Sequence, residues 1–380
     1  MIFDVLQPIT KEILDFTETL SPEALGNKIE LHTSQKTVDL ETIHLAIVGV
    51  LDNTNYTNEE KVNLTNFRKQ FYSLFPGNWQ KNIADLGDIE AGETFNDTEF
   101  AVSKVVNVLQ NKNIITLVIG GSQELTYSLY RGFNQSDKYI QVVSVDKKFD
   151  INKGGVEQIF PTYISRMIVE EPTNLYNFGV LGYQSYYVPQ EEIDLFENLY
   201  FDAVRLGEII KNIEIAEPFL RDANLVSFDL TAVKSSDSGN YMNFTPNGFT
   251  GREICALARY AGLSEKVSII GLFQHNNSVA EAVSMAEILW YFIEGYQFRA
   301  IEDFKNESIF SKYIVPIDDF ELIFYKSNNT QRWWMDINNF LKINNNMQNI
   351  AFIPCSHQDY LIANQQEIPE KCWKALKKTI

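Results

Sequence analysis

Short apolar runs, rich in Val and Ile, recur along the chain at 43–50, 114–119, 140–145, 178–181, 225–228 and 267–272. A strand buried on both faces reads as an unbroken apolar run because neither side meets water, and parallel neighbours need a crossover helix to join them. Between the runs the spacing turns helical. Thr250-Gly251-Arg252-Glu253 is a capping box, whose hydroxyl and carboxylate satisfy the free amides of a helix start, and Ile254, Leu257, Ala258 and Ala261 then share one face. Gly262 reads as the left-handed stop of that helix. A second stripe, Ala282, Met285, Ala286, Leu289 and Ile293, predicts a helix ending near Gly295. This alternation predicts an α/β fold, with a mostly parallel sheet covered by helices on both faces.

Two regions depart from the pattern. Residues 1–40 contain Ser21-Pro22-Glu23, a helix start with Pro at the first helical position, and read as an N-terminal helical extension to an α/β domain at 41–300. Residues 301–380 carry Asn328-Asn329, Asn338-Asn339 and Asn344-Asn345-Asn346, with Trp333, Trp334, Phe340 and Ile343 between them, and read as a C-terminal extension packed on the same domain. Lys and Arg number 32 against 50 Asp and Glu, a net charge of −18. That balance argues against nucleic acid and anionic membranes as partners, since both recruit basic surface. Three widely spaced cysteines, Cys255, Cys355 and Cys372, form no zinc or C-x-x-C pattern, which fits reduced thiols in a cytoplasmic, soluble protein. No basic n-region precedes an apolar stretch at the N-terminus, and no apolar run approaches the ~20 residues that span a bilayer.

In open α/β sheets ligands bind beyond the carboxyl ends of the strands. Those positions here are polar: Gly120-Gly121-Ser122-Gln123, Asp146-Lys147-Lys148-Phe149-Asp150, Ser227-Phe228-Asp229-Leu230-Thr231, and Gln274-His275. Asp146, Asp150 and Asp229 could converge from two strand ends. Oxygen clusters of this kind suit magnesium, manganese or calcium, while Asp at a strand end also caps neighbouring turns; both readings stand at this point. Cys355-Ser356-His357 has the residue types of a thiol nucleophile, but adjacency in sequence does not make Cys and His face each other. Gly120-Gly121 lacks the third glycine of a dinucleotide fingerprint and reads as a tight turn with amides free for an anion. His32 and His44 read as structural or surface residues, and Arg332-Trp333-Trp334 as buried aromatics rather than an interface patch.

The order of these segments, followed by Pro246-Asn247-Gly248-Phe249-Thr250-Gly251-Arg252-Glu253, with Asp85-Leu86-Gly87-Asp88 and Phe178-Gly179-Val180-Leu181-Gly182 upstream, resembles the ureohydrolase superfamily of arginases, agmatinases and formimidoylglutamases. The resemblance covers residues 40–300, with formimidoylglutamases nearest in pattern, and implies the arginase-like three-layer fold. It also implies hydrolysis of guanidino or amidino C–N bonds by a hydroxide bridging two manganese ions. The motifs depart from the family where that chemistry resides. Gln123 and Lys148 stand where the family has His ligands, and Thr231 where it has a fourth Asp; Asp146, Asp150 and Asp229 are retained. Gln274 takes the place of the family's substrate-binding Glu.

The expectation is therefore a ureohydrolase-like protein that has lost the binuclear centre, with Lys148, aided by Lys147, as counter-charge to the aspartates. No cofactor is expected. At most one divalent cation (Mg, Mn or Ca) would sit among Gln123, Asp146, Asp150 and Asp229. The residual pocket of Gln123, Asp146, Lys148, Asp150, Asp229, Thr231, Gln274 and His275 would take a small polar ligand, a zwitterion such as an amino acid. Two alternatives are a linear-amidine C–N hydrolase using one hard metal or Lys148 as base, and a homo-oligomeric interaction protein.

Overall fold

A computed structural model describes residues 2–54, 62–133, 139–151, 162–171, 173–317, 320–337 and 352–378. Nine strands form one sheet: β1 (Glu30–Leu31), β2 (Leu45–Leu51), β3 (Ile83–Glu90), β4 (Ile115–Gly120), β5 (Ile140–Val145), β6 (Leu175–Tyr183), β7 (Asp202–Arg205), β8 (Leu225–Asp229) and β9 (Ile269–Phe273). Their order is β1-β3-β2-β4-β9-β8-β5-β6-β7, and every pairing is parallel.

Side chains alternate across a strand, and the core divides accordingly. On β2, Leu45 and Ile47 join one apolar cluster while Ala46, Val48 and Val50 join the other. The helices Thr65–Ser73, Gly251–Leu263 and Val279–Gln297 cover the first face through residues such as Phe67, Leu257 and Leu289. Phe95–Asn111 and Tyr163–Val169 cover the second through Val102, Val105 and Met167. This is the three-layer α/β arrangement expected from the apolar runs.

Several local expectations change. Thr250 and Glu253 form the capping box as read, but Gly262 lies within its helix, and the chain leaves at Ser264. Gly262 is needed for contact between helices: a Cβ there would stand 2.1 Å from the Phe292 carbonyl oxygen, and Gly295, also helical, faces it with a Cβ position 3.1 Å from the Gly262 Cα. Two glycines read as helix stops are thus the crossing point of two packed helices. Ser21-Pro22 starts no α-helix; the Ser21 hydroxyl turns back to the Glu23 carboxylate and only a 3-10 turn, Leu25–Asn27, follows. Among the described residues, the first 40 hold one α-helix, Lys11–Thr17, and give β1 to the sheet edge. β3 and β7 were absent from the sequence expectation because Asp85, Gly87 and Asp88 interrupt one run and the other is only four residues long.

The chain beyond 300 builds a four-stranded antiparallel sheet of β10 (Phe310–Ile317), β11 (Phe320–Ser327), β12 (Trp333–Asp336) and β13 (Phe352–Cys355), with helices His357–Asn364 and Glu370–Lys378. It has its own apolar cluster, including Leu322, Phe324, Met335 and Cys372. Arg221 of the α/β part docks it, donating to the carbonyls of Trp333 (3.0 Å) and Cys355 (3.2 Å) with its guanidinium 4.3 Å from the Trp334 ring centroid. Trp333 and Trp334 are buried, as read. Asn338, Asn339, Phe340, Ile343 and the Asn344–346 run lie outside the described residues. Among the described residues no helix is long and apolar enough to cross a membrane.

Candidate functional site

Strand register delivers the acidic cluster. Ser144 pairs with Ser227 and Val145 with Phe228 across β5 and β8, so the next residue on each strand, Asp146 and Asp229, leaves the sheet beside the other. Asp150 joins them from the loop after β5 by adopting a left-handed backbone (φ 51°). One carboxylate oxygen from each of the three lies within 4.8 Å of the others. Turn formation and clustering coexist: Asp146 Oδ1 accepts from the Lys148 amide at 3.1 Å, and Asp229 Oδ1 from the Thr231 amide at 2.7 Å. The other Asp146 oxygen, Oδ2, is buried without a hydrogen-bond partner.

Lys148 closes the cluster from its outer side. Its Nζ stands 2.6 Å from Asp150 Oδ1, while 47% of the side chain remains in solvent. Burial works against the ammonium, but the Asp150 and Asp146 charges outweigh it and raise its pKa above the ordinary lysine value. Burial, then the Asp229 and Asp150 charges, push Asp146 well above the usual carboxylate range. Burial also raises Asp229, against hydrogen bonds from Thr231. Lys147 turns elsewhere: its Nζ donates to Thr245 Oγ1 at 2.8 Å and lies over the Tyr187 ring, and burial lowers its pKa. Lys147 thus acts on the aspartates through its charge, with Asp229 the strongest partner, while its hydrogen bond goes to Thr245.

The other expected residues divide. Thr231 lies at the cluster through its amide. Gln123 lies beneath it, donating from Nε2 to Ser227 Oγ at 2.9 Å and towards Ser144 Oγ at 3.5 Å. Gln274, at φ 66°, donates its amide to the Gly121 carbonyl at 2.7 Å and ties the loops after β9 and β4 together. His275 is buried with Nε2 unpartnered, and burial lowers its pKa to about 4. No hydrogen bond or ion pair joins it to the aspartates among the described residues. Gly121 serves close packing, since a Cβ there would stand 2.6 Å from the Asp52 carbonyl oxygen. The helix after it, Leu125–Arg131, has only seven residues.

Two carboxylates, Glu124 and Glu281, were not among the expected site residues. Glu124, at the start of that short helix, is pushed up to about 7 by burial and then by the Asp150 charge. Glu281 is fully buried, accepts from the Asn276 amide and from Asn240 Nδ2 (3.0 Å), and is pushed up to about 7 mainly by burial. Ser278, three residues before Glu281, was the available signal; its hydroxyl accepts from the Glu281 amide as an N-cap. The nucleophile reading of Cys355 fails physically: burial holds its thiol far above the usual value, and the His357 ring faces Trp333 and Tyr360. His32 is buried on the Leu86 carbonyl, and His44 accepts from the Asn82 amide near the surface.

Glu281 gives a pH prediction. Its pKa is raised to about 7 from 4.5, so the folded state binds more protons than the unfolded state between those values and stability falls as pH rises through that window. Glu281→Gln removes this dependence. Its stability relative to the parent is expected to improve by about 3 kcal/mol between pH 4 and 8.5, at about 1.36 kcal/mol per pKa unit. The one hydrogen bond that an amide cannot accept shifts the difference by a constant and leaves its slope intact. Urea midpoints of both proteins across pH measure it; parallel pH profiles would refute the assignment.

The family model described as "Arginase family" matches residues 54–276. Among solved structures, a Trypanosoma cruzi formiminoglutamase with Mn2+ superposes with a TM-score of 0.65 at 16% identity, covering 73% of this chain and 99% of that one. The formimidoylglutamase of Bacillus subtilis gives 0.61 at 14% identity, covering 70% and 91%. The agmatine ureohydrolase of Thermoplasma volcanium gives 0.55 at 15%, covering 75% and 98%. No curated protein matches the sequence. At these identities the structural likeness speaks for the fold.

Proposed function

The chain belongs to the arginase family, and from that premise we propose that it has lost the family's two-manganese centre and uses the remaining pocket to bind a small zwitterion rather than to hydrolyse it. The observation that carries this reading is the Lys148 Nζ to Asp150 Oδ1 contact of 2.6 Å. A protonated ammonium offers no lone pair and repels a cation, so the position that should donate to a second ion does the opposite. Gln123 and Thr231 contribute only neutral oxygens where the resemblance implies imidazole and carboxylate, and Gln123 Nε2 is engaged with the sheet serines. The donor set does not fit two divalent cations. Without two cations, the route to a bridging hydroxide at neutral pH is absent.

The pocket retains opposed charges. In this reading Asp146, Asp150 and Asp229 take a ligand ammonium or amidinium, and the half-exposed Lys148 takes its carboxylate. Metal analysis of purified protein is expected to find fewer than two manganese ions per chain. Arginine, agmatine and formiminoglutamate are the ligands to test by thermal shift, with no urea, formamide or ammonia released. Stabilisation follows RT ln(1 + [L]/Kd), about 2.7 kcal/mol at a hundredfold excess over Kd. Two tightly held manganese ions per chain, or no response to any of the three, would overturn this reading.

One observation favours a second reading. Asp146 Oδ2, buried and unpartnered within the carboxylate cluster, is the kind of oxygen that a single hard cation takes up. That cation would lie among Asp146, Asp150 and Asp229, and a linear-amidine C–N hydrolase would then retain Lewis-acid chemistry. One bound divalent ion per chain, with hydrolysis abolished by Asp146→Ala and by Asp229→Ala, would establish this reading in place of the first.

A further inference from the structure

A cavity lies at the opposite end of the sheet. It has a volume of about 1050 Å³, and its floor includes the first residues of β4, β5 and β7 (Ile115, Ile140, Asp202). Its wall is the C-terminal unit, chiefly Ile353 of β13 and the face of helix Glu370–Lys378 that carries Lys371, Lys374 and Lys378. That wall lies outside the segment 54–276 matched by the family, so the cavity is distinct from the carboxylate pocket.

Its charge runs against that of the chain. Five cations line it: Lys266, Arg299, Lys371, Lys374 and Lys378. Three carboxylates, Asp202, Asp222 and Glu265, oppose them, in a protein of net charge −18. Pairing uses these acids unevenly. Lys266 is bonded to Asp222, and Lys374 pairs with Asp202 at 3.3 Å and Glu370 at 2.8 Å. Arg299 donates to the carbonyls of Gly262 and Val267 near a helix carboxyl end, where a cation is favoured. Among the described residues, Lys371 and Lys378 have no carboxylate at ion-pair distance. Lys371 has the Pro354 carbonyl at 3.4 Å and the Phe219 ring at 3.6 Å; Lys378 has the Asn177 amide oxygen and the Tyr176 ring at 5.4 Å. Burial lowers the pKa of both, Lys378 to about 8, and outweighs the more distant charges of Asp202 and Asp222. Beside them the Tyr176 hydroxyl, also on the lining, is buried with no hydrogen-bond partner.

We propose that this cavity is a binding site for a small polyanion, with Lys371 and Lys378 as its charge contacts and the Tyr176 hydroxyl as a donor. The two lysines are seven residues apart on one helix, about 10 Å along its axis, which suits two anionic groups better than one. Phosphate and carboxylate ligands share this chemistry. Titration calorimetry on the full chain with pyrophosphate and with citrate, in low-salt buffer at pH 7, separates them, since the arm that gives heat identifies the anion class. Lys371→Gln with Lys378→Gln is expected to weaken binding by at least about a hundredfold, since each lost hydrogen bond to a charged group is worth about tenfold or more. Tyr176→Phe deletes a hydroxyl that bonds nothing in the protein, so it should fold normally and bind about tenfold more weakly. It decides the question should the double variant misfold. No binding of either anion, unchanged binding in a folded double variant, or unchanged binding in Tyr176→Phe, would overturn the proposal.

Discussion

Manganese should enter this chain once three side chains are changed: Gln123→His, Lys148→His and Thr231→Asp together are expected to yield two bound ions per chain where the parent binds fewer. The aspartate geometry is already in place, with oxygens of Asp146, Asp150 and Asp229 within 4.8 Å of one another. The triple change removes the ammonium bonded to Asp150 and adds two imidazoles and a carboxylate at strand ends whose backbone is set by the sheet. Loss of even an outer partner costs a metal site roughly 10- to 100-fold in affinity, so exchanging three inner donors should alter apparent affinity by more than a hundredfold. Manganese titration with metal analysis after desalting reads the result. A parent that already retains two ions, or a folded triple variant that retains none, would contradict the reading of Lys148 as counter-charge.

The second large effect is structural. Arg68 is buried and forks onto two aspartates of β3, donating to Asp85 through Nε (2.9 Å) and Nη2 (3.2 Å) and to Asp88 through Nη1 (2.7 Å) and Nη2 (2.8 Å). Asp85 also accepts from the Tyr72 hydroxyl at 2.8 Å and the Gly87 amide at 2.9 Å. Helix Thr65–Ser73 is thereby tied to the sheet by charge as well as by Phe67 and Phe71. Arg68→Ala leaves two buried carboxylates without a cation, and breaking a buried pair from one side costs about 3–5 kcal/mol. Urea unfolding should show that loss. Arg68→Lys keeps the charge but not the fork and should fall between the two. A loss below about 1 kcal/mol, the range of an exposed pair, would mean that water reaches these carboxylates.

Asp85-Leu86-Gly87-Asp88 stood out in the sequence as a family-like segment, yet nothing nearby announced that Arg68 would neutralise both acids, because that pairing depends on how a helix seventeen residues upstream packs on β3. The same divide runs through the candidate site. Asp146, Asp150 and Asp229 were legible because strand ends carry their positions in the local apolar pattern. Glu281 was not, because its link to Asn240 crosses 41 residues.

The sequence by itself determined the α/β layering, the capping box at Thr250 and the three aspartates, since apolar runs, helical stripes and turn chemistry are local properties. Tertiary structure decided that Lys148 bonds Asp150 while Lys147 turns to Thr245, a choice between adjacent residues of the same type that only their surroundings distinguish. It also decided that Gly262 and Gly295 mark a helix crossing instead of two helix ends, because the space a missing Cβ leaves has meaning only when another backbone fills it. And it set Lys371 and Lys378 over the amino ends of strands that lie far earlier in the chain, making a basic cavity in an acidic protein that net charge could not reveal.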